Sequence, residues 1–493
     1  MVDPTHLREI VDSNYEWLLV RETGRSFALT CREIVILDGN GHLAELQFLD
    51  ESGLQSRALS GYSLIAGEIS LDLADTSDGT VETVRLVPRT SAADLAAEVE
   101  IARLEKANEI ARLISEHLPG AKIGRVALNN ENGRLAQITF DTPDKKMLAA
   151  IADVTASLTI EAIFTSSLIW LEKLGMRKKR PILDVWIICE KSQAKNAQKL
   201  HALLSDRWKS KITVCEIVRK EDRPRLNPLP ERRIRDLWRE KAAGLKLQPR
   251  VIPSKTAEAV KAFAPARVDV IYSNKGETLR FHGLPFVRTR VMSDKEKAWF
   301  GIGRERHILT DSAWNELIAL IGLLEKYRSP CADNKRHEYY RASPEAWLES
   351  TLRRDISLLD ANLILSPIYN QFRSSNDKID LLALRRDGRL VIIELKAQPD
   401  REMVFQAADY WRKIELQRRR GILAAADLFD GREILDKPAL VYLAAPAWSF
   451  HRDFEFFARA ISNEIEMWRF ELHENWREQV RVLARHRYTD TIL

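Results

Sequence analysis

The chain has 493 residues, of which 45% are hydrophobic and 30% are charged, and its net charge is +5. This length exceeds what one hydrophobic core usually supports, so about two to four domains are expected. The composition provides ordinary globular cores and excludes a membrane protein, and so small a charge excess is only a weak indication of a polyanionic partner.

The most apolar long stretch, Met147 to Leu174, is interrupted by Asp153, Glu161 and Glu172. A helix that spans a bilayer needs roughly 20 nearly uncharged residues, so this stretch is interpreted as a buried strand followed by a buried helix. The first residues have neither a basic region nor an apolar run after it. No secretory signal is therefore predicted, and the expected location is cytoplasmic.

Neither zinc nor ATP chemistry is expected from the sequence. The ten histidines have no metal-ligand spacing, and the chain lacks the Gly-Lys-Ser/Thr element of a phosphate-binding loop. The cysteines are scattered and are interpreted as reduced thiols rather than as a disulfide framework or a zinc site. They are Cys31, Cys189, Cys215 and Cys331.

Residues 1–90 contain short runs of alternating polar and apolar residues, such as Ser26 to Thr30 and Ala44 to Leu49, separated by glycines. This pattern predicts a small antiparallel β domain built from hairpins.

Residues 91–220 predict an α/β domain with the order α-β-β-β-α-β-α-β. A helix ends near Pro119, and a turn is predicted at Glu131 to Gly133. The predicted strands are Lys122–Leu128, Arg134–Phe140, Leu148–Val154, Ile182–Cys189 and Ile212–Val218, and the later helices are Thr159–Leu174 and Lys195–Leu204.

Residues 221–335 are interpreted as a basic linker followed by a mixed α/β segment. The run from Arg219 to Arg250 is rich in arginine, lysine and proline and predicts a linker that leads into an amphipathic helix. It could follow a phosphate backbone or be a solvated surface. A hairpin at Thr278 to Arg290 and a helix at Ala313 to Tyr327 follow.

Residues 336–493 predict a final domain that repeats the element order of residues 91–220. Its first helix begins after Ser343, with Pro344 at the first helical position. The predicted strands are Leu363–Gln371, Lys378–Leu384, Arg389–Leu395, Ala439–Ala444 and Glu466–Leu472, and the later helices are Glu402–Arg418 and Arg452–Ile461.

One hairpin of this domain carries a cluster of charges among apolar residues. The turn at Asp387 and Gly388 folds two apolar strands together, with Asp380 on the first strand. Glu394 and Lys396 are two residues apart on the second strand and therefore share one face. We expect two carboxylates and one ammonium group to converge beside the core.

Two carboxylates forced together in a partly dry site repel each other and lose solvation unless a cation neutralises them. Hard oxygen ligands with room for water suit Mg²⁺ or Mn²⁺. Such an ion can polarise a phosphodiester and lower the pKa of bound water, while a lysine orients or helps to deprotonate the water or offsets negative charge.

This arrangement resembles the PD-(D/E)XK nuclease superfamily, including its RecB-like members and NucS-type nuclease domains. Asp380 matches the first acidic position, and Glu394 and Lys396 match the Glu-x-Lys signature. The resemblance implies a restriction-endonuclease-like α-β-β-β-α-β core and a third metal ligand at Glu349, with Glu345 as a substitute. It also implies that Gln406 and Tyr410 belong to the Gln-x-x-x-Tyr motif of the RecB-like members and position the active site or the nucleic-acid strand.

The function implied by the resemblance is a Mg²⁺- or Mn²⁺-dependent nuclease, with metal held by Asp380, Glu394 and Glu349, that cuts nucleic acid and above all DNA. Repair, restriction and antiviral defence are all compatible with it. A ribonuclease that uses the same site is one alternative, and a non-catalytic nucleic-acid-binding or scaffold protein is another. The N-terminal domains are expected to recognise nucleic acid or a protein partner, or to support a homodimer, and no membrane partner is expected.

The middle segment from about Leu95 to Val218 is compatible with a second, degenerate copy of the nuclease fold. Its element order is the same, and a Gly-Arg-Leu run at Gly133 repeats the one at Gly388. Aligned on that run, Thr139 and Asp141 stand where Glu394 and Lys396 would fall, so no metal site is expected there. An unrelated Rossmann-like domain is the alternative.

Overall fold

A computed structural model of the chain has a mixed α/β architecture with several sheets. It describes residues 3–21, 26–38, 44–50, 53–65, 67–74, 81–89, 92–129, 133–177, 180–220, 223–241, 253–273, 276–292, 295–303, 306–365, 373–374, 377–378 and 380–488. Contacts divide the chain into two compact units, Met1–Glu105 and Lys106–Leu493. None of the described helices is long and apolar enough to cross a lipid bilayer.

The first unit contains a seven-stranded antiparallel sheet. The elements are α1 Pro4–Asp12, β1 Glu16–Arg21, β2 Ser26–Thr30, β3 Val35–Asp38, β4 Ala44–Asp50, β5 Gly53–Ile65, β6 Glu68–Ala74 and β7 Val81–Pro88. The strand order is β2-β1-β7-β6-β5-β4-β3. Alternate residues, such as Leu46 and Phe48 of β4, are buried in one cluster, as expected for strands with one face on a core.

A region that we call the middle lobe, residues 106–241, contains a six-stranded sheet. Its elements are α2 Ala92–His117, which begins in the first unit, β8 Lys122–Leu128, β9 Leu135–Asp141, β10 Met147–Asp153, α3 Ile160–Gly175, β11 Val185–Glu190, α4 Lys191–Ala202, α5 Asp206–Lys209, β12 Ile212–Lys220, β13 Arg223–Pro228 and α6 Ile234–Leu237. The last part of α2 packs on one face of this sheet, and Ile110 and Ile114 are buried there.

The prediction that the basic run from Arg219 to Arg250 begins as a linker is wrong, because the first part of this run lies in paired strands. Arg223–Pro228 form β13, the edge strand that pairs antiparallel with β12. The two prolines of β13 are tolerated because an edge strand can leave its outer amide positions unpaired. Residues 242–250 of the run lie outside the described residues, as do residues 130–132 in the predicted turn and residues 366–372 after the predicted strand at Leu363.

A five-stranded antiparallel sheet, which we call the third sheet, follows. Its elements are α7 Lys255–Phe263, β14 Val268–Ser273, β15 Gly276–Phe281, β16 Leu284–Met292, β17 Lys295–Phe300, β18 His307–Ile308 and α8 Trp314–Tyr327. The strands pair in chain order, and α7 and α8 share one buried cluster with them. The predicted hairpin at Thr278 to Arg290 corresponds to β15 and β16.

The C-terminal lobe, residues 338–488, contains a second six-stranded sheet. Its elements are α9 Glu338–Arg341, α10 Pro344–Arg354, β19 Leu363–Leu365, the small pair β20 Arg373–Ser374 and β21 Asp377–Lys378, β22 Leu381–Arg385, β23 Leu390–Leu395, α11 Met403–Arg419, α12 Ile422–Ala425, β24 Leu440–Pro446, α13 Phe454–Ala460, β25 Met467–Leu472 and β26 Val482–Tyr488. Every residue of β23 and β24 is buried, because helices or loops cover both faces of these central strands.

The two six-stranded sheets have the same connectivity. Their strand orders are β8-β9-β10-β11-β12-β13 and β19-β22-β23-β24-β25-β26. In both, the first three strands are antiparallel, the next two steps are parallel and the last step is antiparallel. A helix precedes the first strand of each sheet, and helices form the crossovers to the fourth and fifth strands.

The shared strand order changes which residues of the two lobes correspond. By position in the sheet, β9 takes the place of β22 and β10 takes the place of β23. Thr139 and Asp141 lie on β9, so they do not correspond to Glu394 and Lys396, which lie on and directly after β23. The alignment on the Gly-Arg-Leu runs was wrong by one strand, because the two runs precede different strands of the sheet.

Candidate active site

The hairpin formed by β22 and β23 places Asp380 opposite Glu394. Leu381 pairs with Ile393, and one step further along this antiparallel pair brings position 380 to position 394. The turn depends on Gly388, whose φ of +86° is a conformation that other residues rarely adopt. The backbone N–H of Leu395 donates a 2.9 Å hydrogen bond to Asp380 Oδ2, which fixes that carboxylate at the end of β23.

Glu394 and Lys396 form a buried ion pair. Glu394 is 3% exposed and Lys396 is 8% exposed. Lys396 Nζ lies 3.2 Å from Glu394 Oε1 and 2.9 Å from Asp400 Oδ2, so one ammonium group bridges two carboxylates. Asp400 also accepts a 2.6 Å hydrogen bond from the N–H of Glu402, directly before α11. The lysine is therefore held in one position at the end of the central strand.

Burial raises the pKa of Glu394 well above its ordinary value, and the negative charge of Asp380 raises it further. Burial alone would lower the pKa of Lys396, but the carboxylates of Glu394 and Asp400, with a contribution from Glu345, raise it above its ordinary value. Lys396 therefore keeps its proton at neutral pH. Ionising Glu394 costs free energy unless a second cation is close to it.

The two acidic residues of α10 have different partners. Glu349 is 2% exposed, and its Oε1 lies 3.5 Å from Arg280 Nη2 on β15 and 3.4 Å from Arg353 Nη1. Glu345 lies one helical turn before Glu349 on the same face and is close enough to Lys396 to influence its pKa. The structure thus associates Glu345 with the lysine, while arginines engage Glu349.

Gln406 and Tyr410 lie one turn apart on α11, and both are half-buried. The ammonium group of Lys413 lies 5.6 Å from the ring centre of Tyr410. Neither side chain is among the groups with the largest influence on the pKa of Glu394 or Lys396. Their predicted role in positioning the active site or the nucleic-acid strand stays a prediction.

The paired carboxylates fit a hard divalent cation. Glu394 Oε2 is buried and has no hydrogen-bond partner in the described part of the chain. Mg²⁺ usually keeps several waters and takes one or two protein carboxylates together with substrate phosphates. Within the described ranges, no group of three or more His, Cys, Asp or Glu side chains is arranged to hold a metal ion. Asp380 and Glu394 therefore fit an ion whose remaining ligands are water and phosphate.

Replacing Glu394 with glutamine is expected to stabilise the metal-free protein at neutral pH by about 1–3 kcal/mol, since the amide keeps an acceptor for Lys396 without burying a charge. The folded-state pKa of Glu394 is raised from 4.5. The stability that this group contributes is complete below the unfolded-state pKa and is lost as pH rises through the folded-state value. Urea unfolding should therefore give a larger gain for the variant at mildly alkaline than at mildly acid pH.

Asp387→Asn is the matched control on the same hairpin. Hydrogen bonding to Arg385 lowers the pKa of Asp387 to about 2, so its stabilising contribution is present above the unfolded-state pKa and is lost at acid pH. This control should be destabilised rather than stabilised at neutral pH. A Glu394→Gln variant that lost stability at alkaline pH would contradict the assigned cost of the buried carboxylate.

A basic cleft of about 830 Å³ begins where β23 ends. Ala397 and Gln398, which directly follow Lys396, line it, as does Pro344, which directly precedes Glu345. Its wall contains one acidic residue, Glu338, and four cationic residues, Lys335, Arg336, Arg341 and Arg477, so it is positive overall. The charged cluster thus lies next to a concave, positively charged surface.

An exposed tryptophan stands beside this cleft. Trp448 follows β24 and is 84% exposed. The backbone N–H of Trp448 donates a 2.8 Å hydrogen bond to Glu474 Oε1. The hydroxyl of the next residue, Ser449, donates a 3.2 Å hydrogen bond to the carbonyl oxygen of Ala397 in the cleft wall. The backbone that carries the indole ring is therefore anchored at both sides.

Sequence reasoning missed Asp400 and Trp448 and treated Glu345 only as a substitute. The one sequence signal for Asp400 is its place in the short polar segment between β23 and α11, which also contains Glu402. The exposure of Trp448 has no sequence signal, because tryptophan is usually largely buried.

The fold and this site define a mixed α/β protein with a buried carboxylate–lysine cluster at the end of a central strand. No protein-family model matches the chain. Among solved structures, the apo form of EndoMS is similar at 12% sequence identity, over 44% of this chain and 96% of that one, with a TM-score of 0.17. So low a TM-score does not show a shared fold.

Proposed function

We propose that the C-terminal lobe is a nuclease that hydrolyses phosphodiester bonds with Mg²⁺ or Mn²⁺, and that DNA is its substrate. The observation that carries the proposal is the pair of carboxylates at Asp380 and Glu394 beside the charged Lys396. One buried oxygen of Glu394 has no hydrogen-bond partner among the residues that the structure describes. Such a cluster costs stability, and binding a cation next to a phosphate is the chemistry that offsets this cost.

Asp380 and Glu394 are the residues that would hold the ion, which would polarise the phosphodiester and lower the pKa of the attacking water. Because Lys396 keeps its proton, we assign to it the binding of a phosphate oxygen and the offset of negative charge, rather than proton removal. Asp400 fixes the position of the ammonium group. The substrate's phosphate is the anion that this ammonium group would accept.

The assisting acidic position on α10 is better filled by Glu345 than by Glu349. Glu345 influences the pKa of Lys396, whereas Glu349 pairs with Arg280 and Arg353. We propose that Glu345 assists the ion through a bound water rather than as a direct ligand. Glu349 then acts as a positioning residue that ties α10 to β15.

The basic cleft supports a polyanionic substrate, because arginine and lysine side chains supply the salt-dependent part of nucleic-acid affinity. Arg336 and Arg341 are exposed in its wall. Trp448 offers a flat apolar surface on which a base can stack. Phosphates would follow the cleft while an unpaired base contacts the indole ring.

Trp448→Ala is expected to weaken binding of labelled single-stranded DNA by about 5- to 100-fold, which corresponds to the loss of one stacked base at about 1–3 kcal/mol. Trp448→Phe should retain most of the affinity. Fluorescence anisotropy with the Asp380→Asn background measures binding without cleavage. Tyr15→Ala is the matched control, since Tyr15 is also an exposed aromatic residue, at 67% exposure. Unchanged affinity of Trp448→Ala would contradict base stacking at this position.

The proposed function is tested by incubating the purified chain with labelled single- and double-stranded DNA and RNA, with Mn²⁺ and with EDTA. Cleavage of DNA with Mn²⁺ and none with EDTA is the expected result. Cleavage of RNA alone would retain the site and change the substrate. Binding without cleavage of any substrate would overturn the enzymatic assignment.

A further inference from the structure

We infer that the middle and C-terminal lobes form an internal pseudo-dimer with one catalytic and one blank centre, so that each chain cuts a single strand of duplex DNA. The second half of this inference rests on the proposed function, whereas the pseudo-dimer does not. The first evidence for the pseudo-dimer is that the two six-stranded sheets have identical strand orders and strand directions. Lobes of one topology can be related by a local two-fold axis, in which case equivalent elements meet each other.

One set of contacts between the lobes joins the segments that follow equivalent helices. Leu204, which follows α4, forms an antiparallel bridge with Ile461, which follows α13. The N–H of Ser205 donates to the carbonyl oxygen of Ala460, and the N–H of Ser462 donates to the carbonyl oxygen of Leu203, both at 2.8 Å. The helices α4 and α13 follow the fourth strand of their respective sheets, so this reciprocal pair of hydrogen bonds lies on the local two-fold axis.

The helices that follow the third strand of each sheet also meet. Thr159, the N-cap residue of α3, donates a 2.5 Å hydrogen bond to Glu402, the N-cap residue of α11. The ring centres of Phe164 and Phe405 lie 6.2 Å apart between the two helices. Buried residues of α3 and α11 belong to one hydrophobic cluster. The two N-cap residues are equivalent, and the two phenylalanines lie on equivalent helices, as expected for a two-fold interface, here within one chain.

The middle lobe has apolar residues at all three catalytic positions. The pairing of β10 with β11 begins at Ala149, and the pairing of β23 with β24 begins at Val391. Counting from these two starting residues, Ala152 occupies the position of Glu394. Ala136 pairs with Ala152 and takes the place of Asp380.

The same register places Val154 at the position of Lys396. Ala136 and Ala152 are 0% and 2% exposed, and both are buried against α2, which takes the place of α10. Among the described residues, the three equivalent positions of the middle lobe therefore carry no charged group with which to hold a metal ion.

Two consequences follow for the mechanism. The face formed by α11 and α13 is already covered by the middle lobe, so this face is not available for pairing with a second C-terminal lobe. The two strands of a duplex are antiparallel and need two symmetric centres for concerted cutting, but each pseudo-dimer has one. The product is therefore a nick.

The pseudo-dimer is tested without reference to activity by replacing Leu204 and Ile461 with cysteine. Their hydrogen-bonding pattern is that of a non-hydrogen-bonded antiparallel pair, whose Cα atoms are about 4.5 Å apart, within the range that a disulfide spans. The expected result is an intrachain disulfide that shifts the mobility of the monomer on a non-reducing gel. The two single variants are the controls and should not shift. A disulfide-linked dimer, or no disulfide under oxidising conditions, would overturn the internal arrangement.

The nicking consequence is tested with the full chain and a supercoiled plasmid in Mn²⁺, after sedimentation has set the monomer concentration range. Open-circular DNA should accumulate fully before linear DNA forms, and the oxidised Leu204→Cys, Ile461→Cys protein should retain this activity. Linear DNA formed without a lag by the monomer would overturn the single-strand mechanism. No cleavage together with an intrachain disulfide would refute the proposed function and leave the pseudo-dimer intact.

Discussion

Replacing Asp380 with asparagine or Lys396 with methionine is expected to reduce DNA cleavage by at least about 100-fold, the usual effect of removing one preorganised charged group from a catalytic site. Asp380→Asn removes half of the paired carboxylates that would hold the ion. Lys396→Met removes the positive charge beside Glu394 while retaining an apolar side chain of similar length. Single-turnover cleavage with saturating enzyme and Mn²⁺ measures the chemical step.

Calorimetric titration with Mn²⁺ separates the two roles. Asp380→Asn should lose measurable ion binding, whereas Lys396→Met should bind the ion at least as tightly as the unmodified protein, because a nearby positive charge has been removed. Both variants should bind DNA within a few-fold of the unmodified protein, because the basic cleft is intact. Asp387→Asn, on the turn of the same hairpin, should cleave normally. Full activity of Asp380→Asn would refute the assignment of the site.

Arg328→Met is expected to destabilise the protein by about 3–5 kcal/mol, since it leaves several buried carbonyl groups without a donor. Arg328 is 0% exposed and donates hydrogen bonds to five backbone carbonyl groups, two at the end of β15 and three around α9 and the start of α10. Burial lowers its pKa to about 9, which leaves it charged at neutral pH. Urea unfolding, followed by circular dichroism, measures the loss.

Arg328→Lys should restore little of this stability, because a single ammonium group cannot reproduce the planar fork of donors. Arg452→Met is the control, since Arg452 has an exposed side chain on the same unit. A second readout follows from the position of α10, which carries Glu345 and Glu349. Cleavage by Arg328→Met should fall even at temperatures at which the variant stays folded. A variant as stable as the unmodified protein would show that the five carbonyl groups find other partners.

The hairpin that carries Asp380, Glu394 and Lys396 can be predicted from the sequence because its determinants are local. The Asp-Gly turn fixes the register of two adjacent strands, and the alternation of a strand places Glu394 and Lys396 on one side. The long apolar runs of β23 and β24 similarly indicate central strands covered on both faces. These features need no knowledge of distant parts of the chain.

Other features of the site depend on distant contacts. Glu345 and Glu349 lie on the same face of one helix, and only the packing of α10 between β15 and β23 determines which one meets arginine and which one influences Lys396. The role of β13 is another example. A run of arginines and prolines resembles a linker until the exposed edge of β12 provides a partner for its backbone groups.

By itself, the sequence determined the type and order of most elements and predicted that Asp380, Glu394 and Lys396 converge on one hairpin, because turn chemistry and strand periodicity act over a few residues. The tertiary structure alone decided that Asp400 contacts Lys396, that Ala136 and Ala152 of the middle lobe lie where Asp380 and Glu394 lie in the C-terminal lobe, and that helices of the two lobes pack together. These relations join positions far apart in sequence, and their free energy comes from burial and charge pairing that exist only after the chain has folded.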